Sequence, residues 1–106
     1  MLIFFRYSFL LMIQNYSCSF VQEVLEEGGQ LIDVRSPVEF SQGALNGAIN
    51  MPIESFQVLK DDIDTNKPVL LYCRTGARSG VVKKYLDQLG FDRVHNIGGY
   101  RQFMGC

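Results

Sequence analysis

Pro68-Val69-Leu70-Leu71-Tyr72-Cys73-Arg74-Thr75-Gly76-Ala77-Arg78-Ser79 decides the fold. Its first five residues are a short apolar, β-rich run begun by proline, which reads as a buried strand. After it, Val81, Val82, Tyr85, Leu86 and Leu89 recur at helical spacing, with Lys83, Lys84, Asp87 and Gln88 opposite and Gly90 as the stop. The spacing predicts a helix over 80–89. Residues 73–79 thus leave the carboxyl end of a strand and open a helix, the place where open α/β sheets bind ligands.

A cysteine at that point has a particular chemistry open to it. An unperturbed thiol has a pKa of about 8.5, so about 3% is thiolate at pH 7, and the thiolate is the nucleophile. A helix amino terminus, inward loop amides and the cations Arg74 and Arg78 all favour the charged form. Gly76 gives the backbone the freedom to turn its amides inward. The loop reads as an anion cradle with Cys73 at its base. Cys18 and Cys106 have no such surroundings in the sequence and read as buried apolar thiols. Three widely spaced cysteines and one histidine suggest neither a zinc site nor a disulfide framework, and an odd cysteine count with one reactive thiol suits a reducing compartment, where cellular thiols can discharge a persulfide. His95 reads as structural.

Working outward, Ser19 with Gln22 suggests a capping box, and Phe20, Val21, Val24 and Leu25 form one apolar face before Glu26-Glu27-Gly28-Gly29. Leu31 to Val34 reads as a buried strand. Ser36-Pro37-Val38-Glu39 is a capping box with proline in the first helical position. Ala48 to Met51 and 93–97 read as strands, and Phe56, Leu59 and Ile63 place a helix over 54–63. Short strands alternating with helices imply a mainly parallel sheet covered on both faces.

At 106 residues the chain suits one domain. Its net charge of −1 gives no support to a nucleic-acid or membrane role. The charge is uneven: from Cys73 onward six basic residues face two acidic ones, +4 against −5 before it. That bias would draw anions towards the loop, although Lys83, Lys84 and Arg93 read as a solvated face. Residues 1–17 form an apolar segment interrupted by Arg6, short of the roughly 20 residues a membrane span needs, so no stable span is expected. The segment reads as an edge strand or docking piece ahead of a domain over 18–106, and the expected compartment is the cytoplasm. If residues 1–17 act as an export signal, the alternative is the periplasm.

Over residues 19–103 the chain resembles the single-domain rhodanese family of sulfurtransferases. The likeness rests on Leu31 to Phe40 with Gly47-Ala48-Ile49-Asn50-Met51-Pro52, on Tyr72 to Ser79, and on Asn96-Ile97-Gly98-Gly99-Tyr100. The resemblance implies a rhodanese-like α/β fold with about five short strands flanked by helices on both faces. It also implies a persulfide cycle on Cys73: sulfane sulfur from a small anionic donor such as thiosulfate passes to cyanide, a thiol or a protein acceptor. By the same likeness Arg74, Thr75, Gly76, Ala77 and Arg78 form the rim that binds the donor, and no metal, nucleotide or flavin cofactor is involved.

Asp33 and Arg35 read as scaffold, with Arg35 placed to pair with Glu39. The family often has Gly-His-Ile-x-Gly-Ala where this chain has Gly43-Ala44-Leu45-Asn46-Gly47-Ala48, which puts one structural hydrogen bond in doubt. Two other functions stay open. One is a carrier or sensor module that holds sulfur without turnover. The other is a cysteine-dependent phosphatase or arsenate reductase, whose loops in this fold place five residues between cysteine and arginine. Here there are four, and none is acidic to protonate a leaving alcohol.

Overall fold

The computed structural model describes residues 16–106. In chain order the elements are α1 (Cys18–Glu26), β1 (Gln30–Asp33), α2 (Pro37–Ser41), β2 (Ile49–Asn50), α3 (Phe56–Leu59) between two 3-10 turns (Ile53–Ser55 and Lys60–Asp62), β3 (Val69–Cys73), α4 (Ala77–Gln88), β4 (Val94–Gly99) and α5 (Tyr100–Phe103). The strands form one parallel sheet in the order β2-β1-β3-β4. The central β3 is buried at all five positions, as an apolar run covered on both faces must be. Four strands, rather than about five, make the sheet among the described residues. The edge strand considered for residues 1–17 lies outside them except for Tyr16 and Ser17.

Alternation along β3 divides its side chains between two cores. Val69, Leu71 and Cys73 point to the side of Phe56, Val82 and Leu86. Leu70 and Tyr72 point to the side of Val21, Val24, Leu31 and Phe103. Helices therefore cover both faces, and Cys73 falls on the α3/α4 side at the carboxyl end of the central strand.

Several boundaries differ from the sequence reading for local reasons. The cap of α1 is Ser17, whose Oγ accepts from the Phe20 amide at 3.1 Å, instead of Ser19. The capping box at Ser36 and Glu39 forms as expected, with Pro37 in the first turn. The segment 54–63 divides into a short helix between two 3-10 turns, because Asp61 and Asp62 would oppose the negative end of a longer helix. Helix α4 starts at Ala77, three residues early, and its buried face is Ser79, Val82 and Leu86, while Val81 is 61% and Leu89 49% exposed.

Cys18 and Cys106 are joined in a disulfide across 88 residues, with their Cα atoms 5.8 Å apart. This corrects their reading as buried apolar thiols and the expectation that the cysteines form no disulfide. The bridge fastens the start of α1 to the residue after the last turn, where the Cys106 amide donates to the Phe103 carbonyl at 3.0 Å. Among the described residues no helix is long and apolar enough to cross a membrane. His95 is structural: Nδ1 meets the Tyr16 hydroxyl at 3.1 Å, and its ring packs edge-on against Phe20.

Candidate active site

Cys73 is the last residue of β3, 1% exposed, and the free cysteine of the chain. Only three residues, Arg74, Thr75 and Gly76, separate it from α4. Gly76 caps that helix at φ +101°, a conformation that costs other residues about 1–2 kcal/mol. Here a Cβ would also stand 3.3 Å from the Gly98 Cα. In this pose the Gly76 amide donates to Cys73 Sγ at 3.0 Å, and the Thr75 and Ser79 amides also favour the thiolate. Burial is the largest influence and pushes the thiol pKa up. The hydrogen bonds that face the sulfur from Ser79, Thr75 and Gly76 outweigh it, leaving the thiol below its ordinary value.

Within that set the amides carry more than the hydroxyl. Ser79 Oγ lies 3.4 Å from Sγ but only 2.7 Å from Asn96 Oδ1. The Asn96 amide is oriented by its other bonds: Nδ2 donates to the Gly76 carbonyl at 3.0 Å, and Oδ1 accepts from the Gly98 amide at 3.1 Å. Oδ1 can only accept, so the single hydroxyl proton of Ser79 is committed to Asn96. Asn96 thereby clamps both the loop carbonyl and the Ser79 side chain. Gly99 completes the seat, since a Cβ there would lie 2.6 Å from the Arg74 carbonyl. Neither Ser79 nor Asn96 was singled out from sequence as a site residue, although each falls in a stretch that carries the family likeness.

The rim residues separate. Arg74, Thr75 and Ala77 are exposed, and the Ala77 amide reaches Thr75 Oγ1 at 3.4 Å. Arg78 lies in the first turn of α4, and its guanidinium donates to both carboxylate oxygens of Glu39, at 2.7 and 2.9 Å. The Arg78 hydrogen bond, followed by that from the Ser36 amide, holds the Glu39 carboxyl down at about 2. Glu39 thus does not pair with Arg35. Arg35 is buried and bonded to Asp33, with Nη2 to Oδ2 at 2.6 Å, and stacks 4.4 Å over the Tyr100 ring. Its Nη2 also donates to the Gly43 carbonyl at 2.7 Å, and the Leu45 amide donates to the Tyr72 hydroxyl at 3.0 Å. Those two bonds anchor the segment in which Ala44 stands where the family often has histidine. Asp33 and Arg35 are scaffold under the loop, as their sequence reading holds.

A four-stranded parallel sheet with a cysteine at the end of its central strand, under a ring of amides at a helix amino terminus, defines an α/β thiol-chemistry domain. The chain belongs to the rhodanese-like domain family, whose model matches residues 18–106. It is 42% identical to YqhL of Bacillus subtilis (strain 168) over 72% of this chain and 61% of that protein. The chain thus spans less than two thirds of the length of that relative. It is 37% identical to the thiosulfate sulfurtransferase PspE of Escherichia coli (strain K12), over 66% of this chain and 69% of PspE. Among solved structures, a rhodanese with anions from E. coli superposes with a TM-score of 0.63 at 34% identity, covering 70% of this chain and 89% of the other.

Proposed function

We propose that the protein is a sulfurtransferase that carries sulfane sulfur as a persulfide on Cys73, taking it from thiosulfate or a similar anion. The observation that carries the reading is the Gly76 amide aimed at Sγ from 3.0 Å, inside a loop that lowers the thiol pKa. The thiolate attacks the outer sulfur of thiosulfate, a new S–S bond forms, and the old one breaks with its electron pair leaving on sulfite. The same amides then face the anionic persulfide, which lets the site hold charge without reorganising. An acceptor, either cyanide or a thiol, takes the outer sulfur and returns Cys73 to the thiolate.

The Glu39–Arg78 pair supports sulfur transfer over phosphate chemistry. An oxyanion loop needs its arginine turned to the anion, and here Nη1 and Nη2 of Arg78 each donate to the Glu39 carboxylate. The Cys18–Cys106 bridge favours an oxidising compartment such as the periplasm over the cytoplasm, because disulfides persist there.

The test is thiocyanate formation from thiosulfate and cyanide by wild type and Cys73→Ser. Turnover by wild type alone supports the reading. Release of phosphate from an aryl phosphate without thiocyanate would replace it with the phosphatase reading, and persulfide formation without turnover would replace it with a carrier.

A further inference from the structure

Ser79 is fully buried, and its hydroxyl lies between two acceptors, Cys73 Sγ at 3.4 Å and Asn96 Oδ1 at 2.7 Å. One proton cannot serve both. The Asn96 amide decides which of them receives it, because both of its ends are fixed. Nδ2 donates to the Gly76 carbonyl at 3.0 Å and Oδ1 accepts from the Gly98 amide at 3.1 Å, so a flipped amide would set oxygen against oxygen and N–H against N–H. What Ser79 Oγ turns to the sulfur is therefore a lone pair. The Gly76 carbonyl also accepts from the Gly80 amide at 3.0 Å, so the pose of the loop does not hang on Asn96 alone.

We infer that Asn96 is a positioning residue for Cys73: by taking the Ser79 proton it withholds the hydroxyl from the sulfur and leaves the charge there to backbone amides. The consequence is kinetic. Each further donor makes a thiolate more stable but less nucleophilic, its own reactivity falling about threefold for each unit of pKa lost. The amides of Gly76, Thr75 and Ser79 already favour the thiolate. A donated hydroxyl would add ionisation at the expense of attack. The inference deepens the sulfur-transfer reading and rests on it for the role in loading, while the titration of Cys73 tests the positioning by itself.

The reaction of Cys73 with methyl methanethiosulfonate, followed across pH, gives the thiol pKa from its midpoint and the reactivity of the thiolate from its plateau. Ser79→Ala in the wild-type background is expected to shift both only slightly. In Asn96→Ala the hydroxyl is free to turn to sulfur, and there the same substitution should raise the pKa and speed the plateau. Asn96→Asp keeps an acceptor for the Ser79 proton, so the effect of Ser79→Ala should stay small. Arg78 is the charge coupled to the sulfur, Glu39 and Glu54 act on Arg78 in turn, and all three are unchanged in these variants. Loading from thiosulfate, followed by intact mass at high pH, should take the same order as the plateaus.

Additive effects of Ser79→Ala and Asn96→Ala overturn the inference, since a purely structural Asn96 would leave the response to Ser79→Ala unaltered. A rise in pKa on Ser79→Ala in the wild-type background as large as in Asn96→Ala also overturns it, because the hydroxyl would then already donate to sulfur. Ser79→Ala leaves Asn96 Oδ1 its bond from the Gly98 amide, and Asn96→Leu, which fills the space, replaces Asn96→Ala if that variant does not fold. Wild type that titrates as expected but takes up no sulfur would overturn sulfur transfer and leave the positioning of Cys73 standing.

Discussion

Arg78 is bound to Glu39, a residue 39 positions earlier, through two hydrogen bonds of 2.7 and 2.9 Å. The pair ties the first turn of α4 to the capping box of α2, so the loop over Cys73 is braced from outside by a salt bridge. The side chains are 32% and 29% exposed, which limits the energy involved.

Glu39→Gln is expected to lower stability by about 1 kcal/mol near neutral pH, measured by urea unfolding. Because the folded-state pKa of Glu39 is depressed to about 2 from 4.5, its contribution is present above pH 4.5 and is lost as pH falls through about 2. The gap between wild type and Glu39→Gln should therefore be roughly halved or less by about pH 3. A gap that widens with acid would contradict the pairing.

Asp33→Ala leaves the Arg35 guanidinium buried without its counter-charge, since Asp33 is 0% and Arg35 5% exposed. The expected cost is about 3–5 kcal/mol, enough to unfold much of a domain of this size. Thermal denaturation of the variant beside Asp33→Ala/Arg35→Met, which removes both charges and should recover part of the loss, checks this.

Denatured protein kept from reductant should show one reactive thiol, Cys73, and three after reduction. Cutting a link that spans 88 residues should cost about 2–4 kcal/mol, lowering the melting temperature by roughly 10–20 °C. Three reactive thiols before reduction would remove the bridge from the account.

Gly76→Ala should raise the Cys73 pKa, because a Cβ at φ +101° forces the loop off the pose that aims its amide at sulfur. The pH dependence of Cys73 alkylation reads this directly. Ser79→Ala should move the same curve less, since the Ser79 proton is spent on Asn96.

What was legible in the sequence was local. Pro68 opening an apolar run, glycine inside the loop and the Ser36/Glu39 capping box each dictate backbone within a few residues, and the structure has the strand, turn and helix start they require. Periodicity placed Val82 and Leu86 in the core, but misplaced Val81, which lies about 100° round the helix from Val82 and off the stripe of Ser79, Val82 and Leu86. The pairs that brace the site were not legible, because they form only when the chain closes. Glu39 finds Arg78, Asn96 finds Gly76 and Ser79, and Cys18 finds Cys106, and nothing in the spacing of any of these measures a distance in space.

The central claim is that the Cys73 sulfur accepts a second sulfur, and intact mass after incubation with thiosulfate and desalting measures it without any acceptor. Wild type is expected to gain one sulfur atom, about 32 Da, and to lose it to cyanide, while Cys73→Ser gains nothing. No gain on wild type, or an equal gain on Cys73→Ser, would contradict the account.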